Sequence, residues 1–425
     1  MRPVTALMWF RRDLRLADNP ALLDAAASGA VLGLFVLDPL LWGRSGDPRR
    51  EHLAASLRSL SASMGGRLVV RRGDPATVVP AVADEVQASS VHISADYAPY
   101  GQKRDERVEA ALKCPLVRTG SPYAVAPGRI LNQQGRPYQV FTPYYKAWLA
   151  HGWRQPAAAP VDVTWVDAAS EELPPGTVVA GEQAAQERWQ AYDVSAYEDE
   201  RDRPDLDSTS RMSIPLKYGE IHPRTMLAGL RNDAFRRELA WREFCADLLA
   251  RYPQAAWKPL RPEFEKMQYD EPGALFDAWC AGRTGFPFVD AGMRQLAETG
   301  FMHNRVRMVV ASFLVKDLHV HWKYGARWFM RSLRDGDLAS NALNWQWVAG
   351  CGADAAPYFR IFNPVGQGLK FDPQGDYVRR WVPELRHLDG KAAHEPWKHG
   401  GGYLEQVVDH GEARRESLRR YEAIR

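Results

Sequence analysis

Residues 31–37 read Val-Leu-Gly-Leu-Phe-Val-Leu, an uninterrupted apolar run of strand length. Such a run predicts a parallel strand that is buried on both faces of its sheet. Residues 7–10, Leu-Met-Trp-Phe, predict another strand before it. Between the two strands, Asn19 followed by Pro20 predicts a helix that continues through Ala27, because proline suits the first helical position.

The alternation of strands and helices continues to residue 117. The predicted elements are a helix at 51–63, a strand at 68–70, a helix at 75–88, a strand at 91–93, a helix at 102–112 and a strand at 116–117. This order predicts an α/β domain with a doubly wound parallel sheet. The sequence after the first strand is Arg-Arg-Asp-Leu-Arg and not Gly-x-Gly-x-x-Gly, so a Rossmann dinucleotide site is disfavoured.

The remainder of the chain has a different pattern. From about residue 122 it is rich in proline, glycine and alanine, which predicts a connector with one short helix at 144–153. Apolar residues then recur at spacings of three and four, which predicts helices at 223–230, 235–251, 272–281, 287–300, 303–322 and 326–333. We therefore predict an α/β domain over 1–125, a connector over 126–195 and an all-α domain over 196–425.

Composition limits the class of protein. At 425 residues the chain is too long for one ordinary core. It has no apolar run long enough to span a bilayer, and its first residues lack the apolar core of a signal peptide. We therefore expect a cytoplasmic protein with no membrane partner. The four cysteines are scattered without a Cys-x-x-Cys pair, so we expect neither a disulfide framework nor a metal site.

Positive charge is concentrated between residues 304 and 334, although the net charge is only +3. Basic residues far outnumber acidic ones there, and aromatic residues are interleaved with them. A solvated helical face would explain the charges alone. The aromatic side chains favour a DNA groove or a buried cofactor.

Polar side chains with helical spacing occur at the start of this basic stretch. Asn304 and Met308 are four residues apart and Arg305 and Met308 three apart, so a helix would place neighbours of this kind on one face. A wall of amide, guanidinium and thioether suits a flat polar heterocycle better than an apolar core. Trp345 and Trp347 are two apart and must diverge, so one could face a substrate, or both could be core residues.

Two other groups of residues each admit two interpretations. The run Thr-Ser-Arg-Met-Ser at 209–213 could bind a phosphate through hydroxyls and backbone N–H groups, or it could simply cap a helix. Glu238, Trp241 and Arg242 share one helix face. They could bind and stack on a base, or they could be a surface ion pair beside a core indole.

Taken together, these segments closely resemble a class I cyclobutane pyrimidine dimer (CPD) photolyase of the photolyase/cryptochrome family. The resemblance runs nearly from end to end. Its segments are 9–19, 209–213, 238–244, 284–291, 302–316, 335–337, 345–347, 360–364 and 381–385.

The resemblance implies a U-shaped FAD held in the helical domain. The implied cofactor-binding residues are Tyr197, Thr209, Ser210, Arg211, Met212, Ser213, Phe235, Glu238, Arg242, Asn304, Arg307, Asp335, Asp337 and Asn341. Among them, Arg307 and Asp335 would form an ion pair beside the isoalloxazine, and Asn341 would face flavin N5. An amide can adapt to either protonation state of N5, whereas a carboxylate would oppose the negative charge of reduced flavin.

The resemblance also implies that the substrate is damaged DNA with a pyrimidine dimer flipped out of the duplex. The implied DNA-binding residues are Arg201, Glu238, Trp241, Asn304, Arg305, Met308, Trp347 and Lys370, and the implied catalytic residues are Glu238, Asn304, Met308 and Asn341. Trp241 and Trp347 would be the apolar walls of the dimer pocket. Met308 would favour CPDs, because (6-4) photolyases carry a histidine at the matching position.

In such enzymes, reduced FAD excited by blue light gives an electron to the dimer, the cyclobutane ring splits, and the electron returns. Reduction of the flavin would use a chain from Trp345 to Trp322 and on to Tyr269, where the family usually has a third tryptophan. A tyrosine can carry a radical only if its proton can leave. Tyr269 is therefore a hypothetical end of the chain.

A second chromophore is implied in the α/β domain. Residues 97–105 resemble the type that binds 8-hydroxy-5-deazaflavin, and the acid expected for the alternative, methenyltetrahydrofolate, is missing near Lys103.

Two other functions compete with repair: a cryptochrome photosensor, and a flavoprotein without a DNA substrate. Asn341, Met308 and Trp347 argue against the first, and the basic, tryptophan-containing stretch argues against the second. We expect a monomer.

Overall fold

The computed structural model describes residues 4–160, 162–354, 359–400 and 402–425. The chain forms two compact units. The first consists of Met1–Asp193 with Ser210–Pro253, and the second of Val194–Thr209 with Gln254–Arg425. Residues 210–253 thus associate with the N-terminal part of the chain. The boundaries predicted for the α/β domain, the connector and the helical domain, after residues 125 and 195, stay predictions.

The first unit contains a five-stranded sheet in the order β3-β2-β1-β4-β5. Its strands are β1 (Thr5–Phe10), β2 (Ala30–Leu37), β3 (Leu68–Arg72), β4 (Ser90–Ile93) and β5 (Leu116–Arg118). Every pairing is parallel, and β2 is buried along its whole length, as its apolar sequence predicts. The predicted α/β class is confirmed.

Helices cover the sheet and continue beyond it. Up to residue 191 they are α1 (Pro20–Ala27), α2 (Pro39–Arg44), α3 (Asp47–Ser63), α4 (Pro75–Glu85), α5 (Pro99–Ala111), α6 (Phe141–His151) and α7 (Glu182–Ala191). Asn19 caps α1 as predicted, because its side-chain oxygen accepts a hydrogen bond from the Leu22 N–H at 3.3 Å. Helix α6 matches the short helix predicted in the connector, whereas the pattern gave no sign of α7.

The remaining helices complete both units. After α8 (Tyr197–Glu200) in the second unit, the first unit adds α9 (Ser213–Tyr218), α10 (Pro223–Leu227) and α11 (Asp233–Arg251). The second unit continues with α12 (Ala274–Cys280), α13 (Pro287–Thr299), α14 (Asn304–Lys316), α15 (Trp322–Ser332), α16 (Leu338–Ala349), α17 (Pro364–Phe371), α18 (Asp376–Trp381), α19 (Lys391–His394) and α20 (His410–Glu422). All of these described elements are helices, so the predicted helical architecture is confirmed. The core of this unit is rich in large aromatic side chains.

The single helix predicted at 303–322 is wrong. Helix α14 ends at Lys316, and α15 begins at Trp322. Between them, His319 has φ +54°, a backbone conformation that side chains other than glycine rarely adopt. The His321 ring then accepts a hydrogen bond from the Lys323 N–H at 3.1 Å and caps α15. Apolar residues keep their spacing across this turn, so periodicity could not reveal it.

The connector is fixed to the first unit by a buried carboxylate. Glu243 on α11 accepts hydrogen bonds from the Ala124 N–H at 2.5 Å, the Val125 N–H at 3.0 Å and the Trp148 indole N–H at 2.7 Å. Burial raises the pKa of Glu243, and these three donors oppose the rise. The carboxylate therefore holds the segment after β5 and α6 against α11.

Two absences within the described part of the chain bear on function. None of its helices is both long enough and apolar enough to cross a membrane. Within the same residues, no three histidine, cysteine, aspartate or glutamate side chains are grouped so that they could hold a metal ion.

We predict that Glu243→Gln lowers the free energy of unfolding by about 1–3 kcal/mol, because an amide NH₂ would then face one of three buried donors. Urea unfolding followed by circular dichroism measures the change. Glu106→Gln, at an exposed position of α5, is the matched control and should change stability by less than about 0.5 kcal/mol. Equal midpoints for both variants would contradict the role given to Glu243.

Candidate functional site

The first turn of α14 presents the polar wall that the sequence predicts. The His303 side chain caps the helix, accepting a hydrogen bond from the Arg305 N–H at 3.2 Å. Asn304 is exposed, and its Nδ2 lies 4.0 Å from the Met308 sulfur. The amide and the thioether therefore share a face, as their spacing predicts.

Arg307 and Asp335 form the ion pair that the resemblance implies. Arg307 Nη2 lies 2.9 Å from Asp335 Oδ2, and the Asp335 side chain is only 3% exposed. Arg307 Nε also donates to the Met302 carbonyl at 2.7 Å. The guanidinium thus connects the residue before the cap of α14 to the segment before α16.

The N-terminal half of α16 holds a second polar group in a defined orientation. Asp337 caps the helix, accepting from the Ser340 N–H at 3.0 Å. One turn later, Asn341 Nδ2 donates to the Ala326 carbonyl of α15 at 2.9 Å. Because the amide nitrogen is committed to the backbone, the amide oxygen is the atom that remains to accept a hydrogen bond from a ligand N–H.

Trp345 and Trp347 point in different directions, as their spacing predicts. Trp345 is 3% exposed and belongs to the core of the second unit. Trp347 is half-buried, and its indole N–H donates to the Asp354 carbonyl at 3.0 Å. One indole is therefore a core residue and the other retains an accessible surface.

Two of the predicted DNA-binding cations lie beside one aromatic ring. The Arg305 guanidinium carbon lies 4.3 Å, and Lys370 Nζ 5.0 Å, from the centre of the Phe371 ring. Arg305 already forms a two-pronged ion pair with Asp202, at 3.1 and 2.8 Å. A phosphate that binds Arg305 would have to replace this carboxylate. The third predicted cation, Arg201, lies over the Tyr197 ring at 5.3 Å.

Sequence reasoning missed a buried hydroxyl beside the predicted phosphate-binding run. Ser208 Oγ is buried and has no hydrogen-bond partner among the described residues. Such a group is normally satisfied by protein, water or a ligand. Ser208 directly precedes Thr209, and both belong to the second unit.

The next four residues, 210–213, belong to the first unit. Arg211 has φ +53°, and Met212 has φ −69° and ψ −10°. Alternation of left- and right-handed backbone directs successive N–H groups into one concavity, which favours an anion. Met212 is buried, whereas Ser213 is exposed at the start of α9. This geometry suits the predicted phosphate contacts.

The predicted residues on α11 have distinct surroundings in the first unit. Phe235 is buried against Trp189, with 5.2 Å between ring centres. Glu238 is half-buried. Trp241 is also half-buried, and its ring lies edge-on to Phe141 at 4.8 Å.

Arg242 is bonded to the backbone of the first unit. Its terminal nitrogens donate to the Pro122 carbonyl at 3.1 Å and the Leu216 carbonyl at 3.2 Å. The guanidinium also lies over the Tyr123 ring at 4.7 Å. Arg242 therefore has a structural task in addition to any contact with a cofactor.

A histidine that the sequence did not single out lies between two residues of the predicted electron chain. His321 is 4.6 Å from Tyr269 and 5.6 Å from Trp322, measured between ring centres. Burial raises the pKa of the Tyr269 phenol and lowers the pKa of His321 to about 4. His321 is therefore neutral at physiological pH.

Comparisons with known proteins identify the family of this chain. The family model described as the FAD binding domain of DNA photolyase matches residues 235–423, and the DNA photolyase model matches residues 6–161. The chain is 42% identical to a deoxyribodipyrimidine photo-lyase of Streptomyces griseus, over 96% of this chain and 97% of that one.

Solved structures give the same result. A class III photolyase from Agrobacterium tumefaciens superimposes with a TM-score of 0.92 at 37% identity, covering 100% of this chain and 98% of the other. A cryptochrome from Synechocystis superimposes with a TM-score of 0.91 at 27% identity, covering 99% and 100%. The chain belongs to the photolyase/cryptochrome family.

Proposed function

We propose that this protein is a DNA photolyase that uses FAD and blue light to split cyclobutane pyrimidine dimers. The observation that carries the proposal is the similarity over nearly the whole chain to a protein named deoxyribodipyrimidine photo-lyase. The exposed Asn304 beside Met308 supports it, because this pair offers a polar and a soft apolar contact on one face.

The described residues fit FAD. Arg307 and Asp335 form a partly buried pair suited to the polar edge of a flavin, and Asn341 keeps an amide oxygen for the N–H of reduced N5. The unsatisfied Ser208 hydroxyl and the backbone concavity at Arg211 suit phosphate oxygens. When bound and reduced, FAD supplies the electron that blue light drives into the dimer and recovers it after the ring opens.

The protein's own residues bind and orient the dimer. Trp241 and Trp347 would supply apolar walls, each contributing roughly 1–3 kcal/mol if they act like other aromatic residues that stack on bases. Glu238 and Asn304 would hydrogen-bond the pyrimidine edges. Met308 would line the pocket and favour CPDs over (6-4) lesions.

Three narrower expectations concern the class, the oligomeric state and the location. The comparisons do not support class I, because a solved structure at 37% identity is a class III photolyase. We therefore propose CPD repair without a class. A monomeric state and a cytoplasmic location stay predictions.

For the antenna we propose 8-hydroxy-5-deazaflavin, with methenyltetrahydrofolate as the alternative. The segment 97–105 follows β4 and enters α5, next to the position where the strand order reverses between β1 and β4. Ligands of open parallel sheets bind outside the carboxyl ends of the strands at such a position. The segment also carries a buried cation, Arg104, which pairs with Asp96 at 3.2 Å and Asp105 at 2.8 Å.

Repair is the direct test of the function. Protein loaded with FAD and reduced with dithionite should restore thymine absorbance in a CPD oligonucleotide under blue light, and not in the dark. Trp347→Ala should weaken binding of the dimer by about 1–3 kcal/mol, whereas Trp42→Ala, another half-buried tryptophan, in the first unit, should not. Absence of repair by protein that holds reduced FAD would favour the cryptochrome alternative.

We predict that Arg305→Gln reduces the salt dependence of DNA binding by roughly 0.9 in the slope of log K against log salt, because one phosphate contact is lost. Asp202→Asn should strengthen binding, since it frees the guanidinium from its partner. Filter binding over a salt series measures both effects. Arg379→Gln, which removes another cation of the second unit that is paired with acids, is the control. An unchanged slope in Arg305→Gln would exclude Arg305 from the DNA contact.

We predict that Asn341→Asp speeds the reoxidation of bound FAD in air. A carboxylate cannot donate to the Ala326 carbonyl, and its charge opposes the charge of reduced flavin. The return of oxidised-flavin absorbance after dithionite is removed measures the rate. Asn363→Asp is the matched control, because aspartate can replace the asparagine that caps α17. Equal rates in wild type and Asn341→Asp would place Asn341 away from N5.

A further inference from the structure

A continuous series of aromatic rings leads from Trp345 towards the surface of the second unit. Trp345 meets Trp279 of α12 edge-on, with 6.2 Å between ring centres. Trp279 stacks on Phe276 at 5.8 Å, and Phe276 meets Tyr324 of α15 at 6.3 Å. Trp279 is fully buried, whereas Phe276 and Tyr324 are half-buried.

The chemistry of each ring suits a different place in an electron path. The Trp279 N–H donates to the Val310 carbonyl at 3.0 Å. Because a carbonyl does not remove that proton, an oxidised Trp279 would keep it and could pass the oxidation on. Phe276 is too hard to oxidise and can act only as a bridge between its neighbours.

Tyr324 has the properties of a terminal donor. Lys323 Nζ lies 5.2 Å, and the Arg327 guanidinium carbon 5.9 Å, from the centre of its ring. Two cations at this distance disfavour positive charge on the ring. Oxidation of Tyr324 would therefore be accompanied by loss of the phenolic proton, and partial exposure of the residue gives that proton access to water.

Tyr269 is half-buried too, so what separates it from Tyr324 is the ring beside it. Its neighbour His321 uses Nδ1 to accept a hydrogen bond from the Lys323 N–H at 3.1 Å, so the ring proton is held at Nε2. His321 could take the phenolic proton only by becoming a partly buried imidazolium, which burial disfavours. Within the described residues, the Trp322 ring contacts the His321 ring, and no ring contact joins Trp322 to Trp345.

We propose that the electrons that reduce the flavin enter at Tyr324 and pass through Trp279, across Phe276, to Trp345, and not through Tyr269. In each photoreduction event, Trp345 would give one electron to light-excited oxidised FAD. Trp279 would then reduce Trp345, and Tyr324 would reduce Trp279. Tyr324 loses its phenolic proton to water, and an external thiol then returns one electron and one proton to it. The inference rests on the proposed function, because it takes FAD to lie beside Asn341 and Trp345.

The test uses full-length protein with oxidised FAD, blue light and dithiothreitol as the thiol. Loss of oxidised-flavin absorbance gives the rate of photoreduction, and a nitroso spin trap followed by peptide mapping identifies the residue that carries the radical. In wild type the adduct should form at Tyr324. In Tyr324→Phe the adduct should disappear and photoreduction should slow several-fold. Tyr252→Phe, a half-buried tyrosine of the first unit, is the control.

Trp279→Phe is a second variant and should also slow photoreduction, provided that its circular dichroism spectrum matches that of the wild type. Unchanged photoreduction in Tyr324→Phe, or an adduct at Tyr269 in wild type, would overturn the proposal. Repair by dithionite-reduced protein needs no photoreduction. It therefore tests the proposed repair function separately from the proposed electron route. Tyr324→Phe should then repair CPDs as well as wild type does. Failure of reduced wild type would count against the proposed function and not against the route.

Discussion

The ion pair between Arg307 and Asp335 is the interaction on which the arrangement of the helical unit depends. The Asp335 carboxylate is only 3% exposed and the Arg307 side chain 24%, so the nearby cation offsets much of the cost of burying the carboxylate. The same guanidinium also binds the Met302 carbonyl. One side chain therefore fixes both the start of α14 and the segment that leads into α16. Asn304 and Asn341, which lie on these helices, gain defined positions from it.

The first unit uses the same physical device for a different purpose. Asp18, which is 2% exposed, pairs with Arg224 at 2.7 Å and accepts a hydrogen bond from the Ala157 N–H at 2.9 Å. Glu243 similarly collects three donors. In both cases a buried carboxylate fixes a segment that is neither helix nor strand. An irregular connector can therefore have a defined course, because hydrogen-bonded buried carboxylates add to its packing.

The sequence predicted those parts of the fold that depend on local patterns. The strand at 31–37 and the helix that Asn19 caps follow from apolar runs and from cap chemistry. The turn at His319 was missed because apolar spacing continues across it. Two long-range pairings were missed: that of Arg305 with Asp202, and that of Arg242 with two backbone carbonyls. Pairing between distant residues leaves no periodic signal in the sequence.

The candidate site shows the same division. The shared face of Asn304 and Met308 and the divergence of Trp345 and Trp347 follow from helical spacing alone. The orientation of the Asn341 amide does not, because the Ala326 carbonyl on another helix sets it. Ser208 and Trp279 could not be recognised from the sequence either. Ser208 is notable because its buried hydroxyl lacks a hydrogen-bond partner among the described residues, and Trp279 because its ring lies beside that of Trp345. Both features depend on the packed structure.

Helix α16 also imposes a constraint on where light-driven chemistry can occur. Residues four apart on a helix lie roughly on one face, whereas residues two apart point in nearly opposite directions, about 200° around the axis. Asn341 and Trp345 therefore lie on one side of α16, and Trp347 lies on the other. The proposed electron donor Trp345 and the proposed substrate wall Trp347 can thus occupy the same turn without competing for one surface. In the proposed function, the flavin-facing amide, the donor and the substrate wall would be arranged by the spacing 341, 345 and 347 on one helix.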